Sequence, residues 1–198
     1  MPNARRANTA AQPTRHPVES VGNTRHIGIM RNRSFLIRPA RSAADIEAVA
    51  QLFAVYAASL DVDLSYQSFA TELATLPGSY VPPRGELLLA RGVEELPLGC
   101  VALRPLTVAG CCEMKRLYVA PEARGLGLGR TLIARIITEA MRIGYLEMRL
   151  DTLPTMTDAI ALYEGSGFHP IAAYYDTPVA GTRFLARSLE ALSVPSIK

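Results

Sequence analysis

Hydrophobic residues follow two kinds of spacing from residue 34 onward, one typical of strands and one typical of helices. Short apolar runs predict strands at 35–38, 86–91, 98–103, 113–119, 145–150, 169–173 and 183–187. Apolar residues spaced by three and four predict helices over about 43–60, 66–76, 128–143 and 158–164. Ser42 and Asp45 match a capping box before the first helix, and Gly144 matches a C-terminal cap after the third.

The order of these elements is β-α-α-β-β-β-α-β-α-β-β. Strands joined by short links pair antiparallel, whereas the strand, helix and strand at 113–150 form a parallel crossover. We therefore expect an α/β (α+β) fold with a mixed, mostly antiparallel sheet of about seven strands, flanked by about four helices.

Charge is distributed unevenly along the 198 residues. Residues 1–33 contain six arginines and one acidic residue, without apolar periodicity. This predicts a disordered basic N-terminal extension or a start codon placed too far upstream, and such a composition also occurs in organelle transit peptides. Residues 34–198, the predicted folded domain, hold 15 basic and 17 acidic residues, a net charge of −2. Because nucleic-acid binding needs basic charge on the fold itself, we expect no nucleic-acid partner.

Other features of the composition narrow the class of protein. No apolar run reaches the roughly 20 residues that span a bilayer, so we expect a soluble protein with no membrane partner. We also expect it to be cytoplasmic, and either a monomer or a homodimer. The three cysteines, Cys100, Cys111 and Cys112, form no CxxC motif and have no matching histidines. They predict buried, reduced thiols and no metal site.

The strongest chemical signal is the stretch from Arg124 to Arg130, Arg-Gly-Leu-Gly-Leu-Gly-Arg, between a predicted strand and a predicted helix. Glycine lets the chain turn tightly and lets a ligand approach without a Cβ atom in the way. The first turn of the following helix exposes N–H groups at the positive end of its dipole. With the two flanking arginines, this pattern predicts a site for an anion such as a pyrophosphate.

A Rossmann-type dinucleotide site is the main competing interpretation, because Asp151 follows Gly129 by 22 residues, near the expected place of a ribose-binding acid. Three observations oppose it. The spacing is G-x-G-x-G rather than G-x-G-x-x-G, residues 120–124 separate the glycines from the strand, and the preceding strands form a meander. The dinucleotide site is therefore disfavoured.

Two motifs resemble those of the GNAT superfamily of N-acetyltransferases. Residues 124–129, Arg-Gly-Leu-Gly-Leu-Gly, are similar to its R/Q-x-x-G-x-G/A signature. Residues 159–168, Ala-Ile-Ala-Leu-Tyr-Glu-Gly-Ser-Gly-Phe, look like its A-x-x-LYE-x-x-GF segment, and the resemblance covers about residues 34–190. It implies a GNAT fold and an enzyme that moves an acetyl group from acetyl-CoA to the primary amine of a small molecule or peptide by direct attack.

The resemblance also implies which residues bind the co-substrate. Main-chain groups at 117–119 would bind the pantetheine arm, and the N–H groups of 124–130 would hold the pyrophosphate. The family commonly has Asn where this chain has Met156, so one side-chain hydrogen bond to the pantetheine arm is not expected here. The residues expected to bind acetyl-CoA are Leu117, Tyr118, Val119, Arg124, Gly125, Leu126, Gly127, Leu128, Gly129 and Arg130.

Tyr163 matches the family's tyrosine that donates a proton to the departing thiolate. A phenol with a pKa near 10 is protonated at pH 7 and can donate. The alternative is a core tyrosine that packs beside Phe168.

A base is also needed, because an amine acceptor is mostly an ammonium at neutral pH. Glu113 lies 11 residues before Arg124, the offset at which family members with a glutamate base place it. The alternatives are Glu147 or Asp151 as the base, deprotonation without a dedicated base, or a solvated Glu113 paired with a neighbouring cation of its strand.

The acceptor is less well specified. The resemblance places it among the first two helices and the loop between the last two strands, at Tyr56, Tyr66, Tyr174, Tyr175 and Asp176. The last three residues also fit an ordinary edge hairpin, and the negative charge of the domain slightly favours a cationic acceptor. A second function stays open, a non-catalytic acyl-CoA-binding or sensing module of the same fold, which would need neither Glu113 nor Tyr163.

Overall fold

The structure, a computed structural model, describes residues 34–60 and 62–189 of the chain. Its strands are β1 (Leu36–Pro39), β2 (Glu86–Arg91), β3 (Pro97–Pro105), β4 (Cys111–Val119), β5 (Glu147–Thr152), β6 (His169–Pro170) and β7 (Arg183–Ser188). Its α-helices are α1 (Ala43–Ala58), α2 (Phe69–Ala74), α3 (Leu128–Ile143) and α4 (Thr157–Glu164). Short 3-10 helices occupy Leu64–Gln67, Val93–Glu95 and Pro121–Ala123. The predicted basic extension, residues 1–33, lies outside the described residues.

The seven strands of the described region form one sheet in the order β1-β2-β3-β4-β5-β7-β6. Neighbouring strands run antiparallel except β4 and β5, which are parallel because α3 carries the chain back between them. The predicted mixed, mostly antiparallel sheet with four flanking helices is confirmed for this region. Pairing between β4 and β5 covers only Cys111 to Glu113 on β4, and beyond these residues the two strands separate.

Hydrophobic core lies on both faces of the sheet. On one face α3 buries its apolar side, including Ile133 and Ile136. On the other face α1 buries residues that include Phe53. β2 serves both, because Leu88 packs with α3 and its neighbour Leu87 packs with α1, as the two-residue period of a strand requires. Burying each such side chain contributes about 1.5–3 kcal/mol, so the two helices hold the sheet from opposite sides.

The ends of α1 and α3 follow from their sequence signals. Ser42 and Asp45 form the predicted capping box, in which the Asp45 N–H donates to Ser42 Oγ at 3.1 Å. Gly144 closes α3 with a φ of 101°, and its N–H donates to carbonyl oxygens of the last turn. No helix in the described part of the chain is long and apolar enough to cross a membrane.

Two predicted elements differ in the structure. The helix expected over 66–76 is divided into a 3-10 helix and the short α2, because Ser68 between them has a left-handed φ of 55°. The strand expected over 169–173 keeps only His169–Pro170, although the Ile171 N–H still donates to the Phe184 carbonyl at 2.9 Å. Farther along, Tyr174 and Tyr175 pack edge-on against the Phe184 ring. The cysteines agree with expectation, since all three are buried and free.

Candidate active site

A cleft opens where β4 and β5 separate. Its volume is about 640 Å³, and its walls come from the end of β4, the loop before α3 and the start of α4. Nine of the ten residues predicted to bind acetyl-CoA line it, namely Leu117, Tyr118, Val119, Arg124, Gly125, Gly127, Leu128, Gly129 and Arg130. The side chain of Leu126 packs against the hydrophobic core instead.

The glycine loop, residues 124–130, has a backbone that only glycine adopts easily at two positions. The φ angle is 72° at Gly125 and 78° at Gly127. A Cβ atom built at either residue meets nothing within 4 Å, so the space beside both glycines is open. At Gly129 a Cβ atom would lie 3.3 Å from Leu162 Cδ1, so this third glycine lets α4 approach α3.

Helix α3 begins without a side-chain cap, and Gly127 is its N-cap residue. Among residues 34–60 and 62–189, no acceptor hydrogen-bonds the backbone N–H groups of residues 125–130. These free donors lie at the positive end of the helix dipole and border the cleft. The exposed guanidinium groups of Arg124 and Arg130 also border it, and Arg124 Nε donates to the carbonyl of Val119 at 3.3 Å. This end of the cleft therefore fits a pyrophosphate.

Strand β4 contains a bulge beside the cleft. One residue of β3, Val101, faces two residues of β4, Arg116 and Leu117. Arg116 has a left-handed φ of 57°, and its carbonyl accepts a long hydrogen bond from Cys100 Sγ at 3.7 Å. Because β5 no longer pairs with this part of β4, the main chain at Leu117 and Val119 has no strand partner among the described residues on the cleft side, where the Val119 carbonyl accepts from Arg124 Nε. An extended ligand can therefore bind there as an added strand would.

A smaller pocket of about 30 Å³, called the inner pocket below, adjoins the cleft. Tyr56, Leu117 and Met156 line both spaces, so they mark the junction between them. The polar and charged side chains of the inner pocket include Tyr66, Gln67, Lys115, Arg116, Asp151 and Tyr163. No cluster of His, Cys, Asp and Glu in the described region is arranged to hold a metal ion.

The position of Tyr163 is compatible with both interpretations of the sequence. Its ring packs edge-on against Phe168 with the centroids 6.1 Å apart, as a core tyrosine would. Yet the residue also lines the inner pocket, and no group of the described residues hydrogen-bonds its hydroxyl. Burial raises the pKa of the Tyr163 phenol well above its ordinary value, so the hydroxyl keeps its proton at neutral pH.

Glu113 lies apart from both spaces. Its side chain is 1% exposed, and Oε2 accepts from Arg104 Nε at 2.7 Å. Oε1 accepts from the Tyr174 hydroxyl at 2.7 Å, while the Lys115 ammonium lies 3.9 Å away. Glu113 lines neither the cleft nor the inner pocket. The position of Glu113 therefore does not favour the predicted role as a base. Glu113 is also buried rather than a solvated surface residue.

Asp151, an alternative base, does line the inner pocket. Its Oδ1 lies 2.8 Å from Lys115 Nζ, and its Oδ2 accepts from Gln67 Nε2 at 3.3 Å. Burial acts to raise the pKa of Asp151, but the neighbouring Lys115 ammonium outweighs it and holds that pKa below the ordinary value. The other alternative, Glu147, pairs with Arg149 at 2.6 Å and lines neither space.

Gln67 was not singled out from the sequence, yet it joins the charged groups of the inner pocket. Its Oε1 accepts from Lys115 Nζ at 3.3 Å and from Arg116 Nη1 at 3.0 Å. Arg116 in turn holds Glu72 through Nε at 2.9 Å and Nη2 at 2.7 Å. Glutamine in a short polar stretch gives no sequence signal for such a role, since the contacts join segments 48 and 49 residues apart.

Two of the five residues predicted to bind the acceptor line the inner pocket, and three do not. Tyr56 lies at the junction, where burial raises its pKa to about 12, and Tyr66 lines the inner pocket. Tyr175 approaches from outside the lining, where its hydroxyl accepts from Gln67 Nε2 at 3.4 Å. Tyr174 bonds Glu113 instead, and Asp176 is exposed and lines neither space.

Sequence and fold comparisons agree with this architecture. Residues 51–168 match the model of the acetyltransferase (GNAT) family. An uncharacterised N-acetyltransferase of Schizosaccharomyces pombe is 38% identical over 157 residues, covering 79% of this chain and 96% of that protein. Another from Dictyostelium discoideum is 30% identical over 193 residues, covering 67% and 89%. A GNAT-family acetyltransferase from Staphylococcus aureus has a similar fold, with a TM-score of 0.67 and 19% identity over 79% of this chain and 100% of that one. This chain therefore belongs to the GNAT acetyltransferase family and is an acyltransferase.

Proposed function

We propose that this chain transfers an acetyl group from acetyl-CoA to the primary amine of a small molecule or peptide, by direct attack of the amine on the thioester. The observation that carries the proposal is the start of α3, where free N–H donors and two left-handed glycines border a cleft of about 640 Å³. Such donors suit the pyrophosphate of coenzyme A. The relatives in Schizosaccharomyces pombe and Dictyostelium discoideum, both named N-acetyltransferases, support acetyl as the transferred group.

Binding is divided between two parts of the cleft. The N–H groups of the glycine loop, with Arg124 and Arg130, hold the pyrophosphate. The open edge of β4 at Leu117 and Val119 holds the pantetheine amides. The thioester supplies an acyl group activated toward amines, and the main chain at Leu117 provides an N–H donor for the negative oxygen that develops during attack.

Tyr163 is the general acid of the proposal. Its hydroxyl borders the inner pocket, has no hydrogen-bond partner among the described residues, and stays protonated because burial raises its pKa. A phenol in this state can give its proton to the thiolate that leaves. Phenylalanine at this position would keep the ring contact with Phe168 and remove only the proton donor.

For removal of the amine proton we propose Asp151 and water rather than Glu113. With a pKa of about 10.4, only about one alkyl amine in 2,500 is neutral at pH 7. Glu113 cannot reach an acceptor, because it lines neither the cleft nor the inner pocket. Asp151 faces the inner pocket, but its lowered pKa makes it a weak base. It therefore holds the ammonium and passes the proton to water instead of keeping it.

Thiol release from acetyl-CoA, measured against a panel of primary amines, tests the proposal. We expect Tyr163→Phe to lower kcat by about 100-fold without changing the Kd of coenzyme A. Tyr145→Phe is the matched control, since Tyr145 is a buried tyrosine whose hydroxyl bonds the Arg84 carbonyl and lines neither space. Binding of coenzyme A with no turnover of any amine would instead identify a non-catalytic acyl-CoA-binding module. Full turnover by Tyr163→Phe would remove the acid from the mechanism.

A further inference from the structure

We infer that the acceptor amine also carries a carboxylate, as an amino acid does, and that Lys115 and Arg116 bind this carboxylate in the inner pocket. The inference rests on the proposed function, because it identifies the chemical class of the acceptor in that reaction. It replaces the purely cationic acceptor that the net charge of the domain favours.

Two neighbouring cations reach the same pocket, which a regular strand does not allow. Side chains of consecutive residues in a strand point to opposite faces of the sheet. The bulge in β4, with its φ of 57° at Arg116, breaks this alternation. As a result Lys115 and Arg116 both line the inner pocket, and both donate to one atom, Gln67 Oε1. The bulge therefore gathers positive charge beside the place where the acceptor must bind.

Each of the two cations retains a donor for a ligand. Arg116 donates to Glu72 through Nε and Nη2, whereas Nη1 donates only to Gln67. The second hydrogen of Nη1 therefore remains available to a ligand. Lys115 has three hydrogens and contacts Asp151 at 2.8 Å and Gln67 at 3.3 Å. The side chains are 6% exposed for Lys115 and 3% for Arg116, so water competes weakly for these donors.

Charge balance favours a zwitterion over a simple amine. The inner pocket is lined by Lys115, Arg116 and Asp151, and Glu72 pairs with Arg116 from outside the lining. Glu113, which lies 3.9 Å from Lys115, is itself paired with Arg104, so these six groups together are neutral. An ammonium entering alone would leave a buried excess of positive charge, which is costly in a medium of low dielectric. An amino acid brings a carboxylate to Arg116 together with its own ammonium, so the total stays neutral.

The size of the inner pocket limits what can enter it. A volume of about 10–15 Å³ is needed to hold one water molecule. The inner pocket measures about 30 Å³, enough for a group the size of a carboxylate but not for an aromatic ring. The bulkier part of the acceptor therefore stays outside it.

Matched acceptors test the inference. Each of several amino acids is compared with its own primary amide and its decarboxylated amine, by thiol release from acetyl-CoA at fixed ionic strength. We expect kcat/KM to be at least about tenfold higher for the amino acid, mainly through KM, because a charge-assisted contact is lost in the other two. The paired variant Glu72→Gln/Arg116→Gln should remove most of this preference and leave the Kd of coenzyme A unchanged. Arg41→Gln/Glu86→Gln, an ion pair of 2.7 Å that lines neither space, is the control and should keep it.

The outcomes separate the two proposals. Amides or decarboxylated amines that react as well as the amino acids would overturn the carboxylate site and leave acetyl transfer to amines intact. Coenzyme A binding without turnover of any compound would overturn the proposed function. In that case, calorimetric titration into the coenzyme A complex still decides the carboxylate site: binding of amino acids but not of their amides supports it, and binding of neither refutes it.

Discussion

The two glycines at the ends of α3 provide a test of whether the glycine loop binds coenzyme A. Gly127 is the N-cap residue, has a φ of 78° and lines the cleft. Gly144 follows the C-terminus, has a φ of 101° and lies outside the cleft. A Cβ atom built at either residue meets nothing within 4 Å. Alanine at either position therefore adds one atom in left-handed backbone without a clash inside the protein.

Both substitutions should reduce stability, but only one should reduce binding. Holding a residue with a Cβ in the left-handed region costs about 1–2 kcal/mol, so the free energy of unfolding should fall by that amount in each variant. Only Gly127→Ala adds its methyl group to the glycine loop itself, in the open space that borders the cleft. Loss of one hydrogen bond to a charged phosphate costs about 1.5–3 kcal/mol, which raises the Kd of coenzyme A by about 10- to 150-fold.

Calorimetric titration with coenzyme A at fixed ionic strength gives the Kd, and urea unfolding gives the stability of each variant. Equal Kd values for Gly127→Ala and Gly144→Ala, at a similar loss of stability, would refute the glycine loop as the pyrophosphate site. Weaker binding by Gly144→Ala alone would place the site elsewhere on the molecule.

Three further predictions concern stability and the domain boundary. Glu113→Gln should lower the free energy of unfolding by about 1.5–3 kcal/mol in urea, because it leaves the partly exposed Arg104 without its ion-pair partner. Adding Arg104→Met should recover most of the loss, and a single variant as stable as the wild type would contradict this. Asp45 has a pKa lowered from 3.8 to about 2 by its hydrogen bond with Ser42, so its stabilisation is complete above pH 3.8 and is lost as the pH falls toward 2. Urea unfolding across that range should show a smaller acid loss for Asp45→Asn, and an unchanged loss would exclude the mechanism. Deletion of residues 1–33 should leave the Kd of coenzyme A and the turnover unchanged, and a large loss of either would move the domain boundary upstream.

Helices and strands whose sequence contains both a clear hydrophobic period and capping or turn residues at the ends could be predicted well. The sequence places a helix over 128–143, and the structure has α3 at Leu128–Ile143, because an amphipathic period and a C-terminal glycine act together. The predicted strand at 86–91 also matches β2 at Glu86–Arg91, because its run of four consecutive apolar residues, 87–90, is buried. The helix expected over 66–76 rested on apolar spacing alone. Spacing still identified Phe69 and Leu73 as core residues, but it carries no information on the φ of Ser68, where the helix breaks.

The glycine loop, our proposed co-substrate site, could be predicted as a loop between a strand and a helix because it is local in sequence. Seven consecutive residues make the glycine loop, so their spacing alone indicates an anion site. The acceptor half depends on the bulge in β4 and on contacts between distant segments. The sequence contains one weak signal of this irregularity, Gly99 inside β3, because a glycine within a strand often marks a bulge or a close approach of another backbone. Here a Cβ atom at Gly99 would lie only 2.6 Å from the Tyr118 carbonyl oxygen. Glu113 was selected because it lies 11 residues before the glycine loop. That spacing does not reveal that Arg104 and Tyr174 both hydrogen-bond its carboxylate.

The charges beside the inner pocket constrain how the acceptor site that we propose can change. They comprise three cations and three anions, of which Arg104 is partly exposed to solvent: Arg104, Lys115, Arg116, Glu72, Glu113 and Asp151. Removing one member of such a set leaves an unpaired buried charge, which costs about 3–5 kcal/mol, a large part of the stability of a domain this size. A single substitution there therefore changes folding and recognition together. Charge-balanced pairs, such as Glu72 with Arg116, separate the two effects, because they alter what the pocket binds while its total charge stays the same.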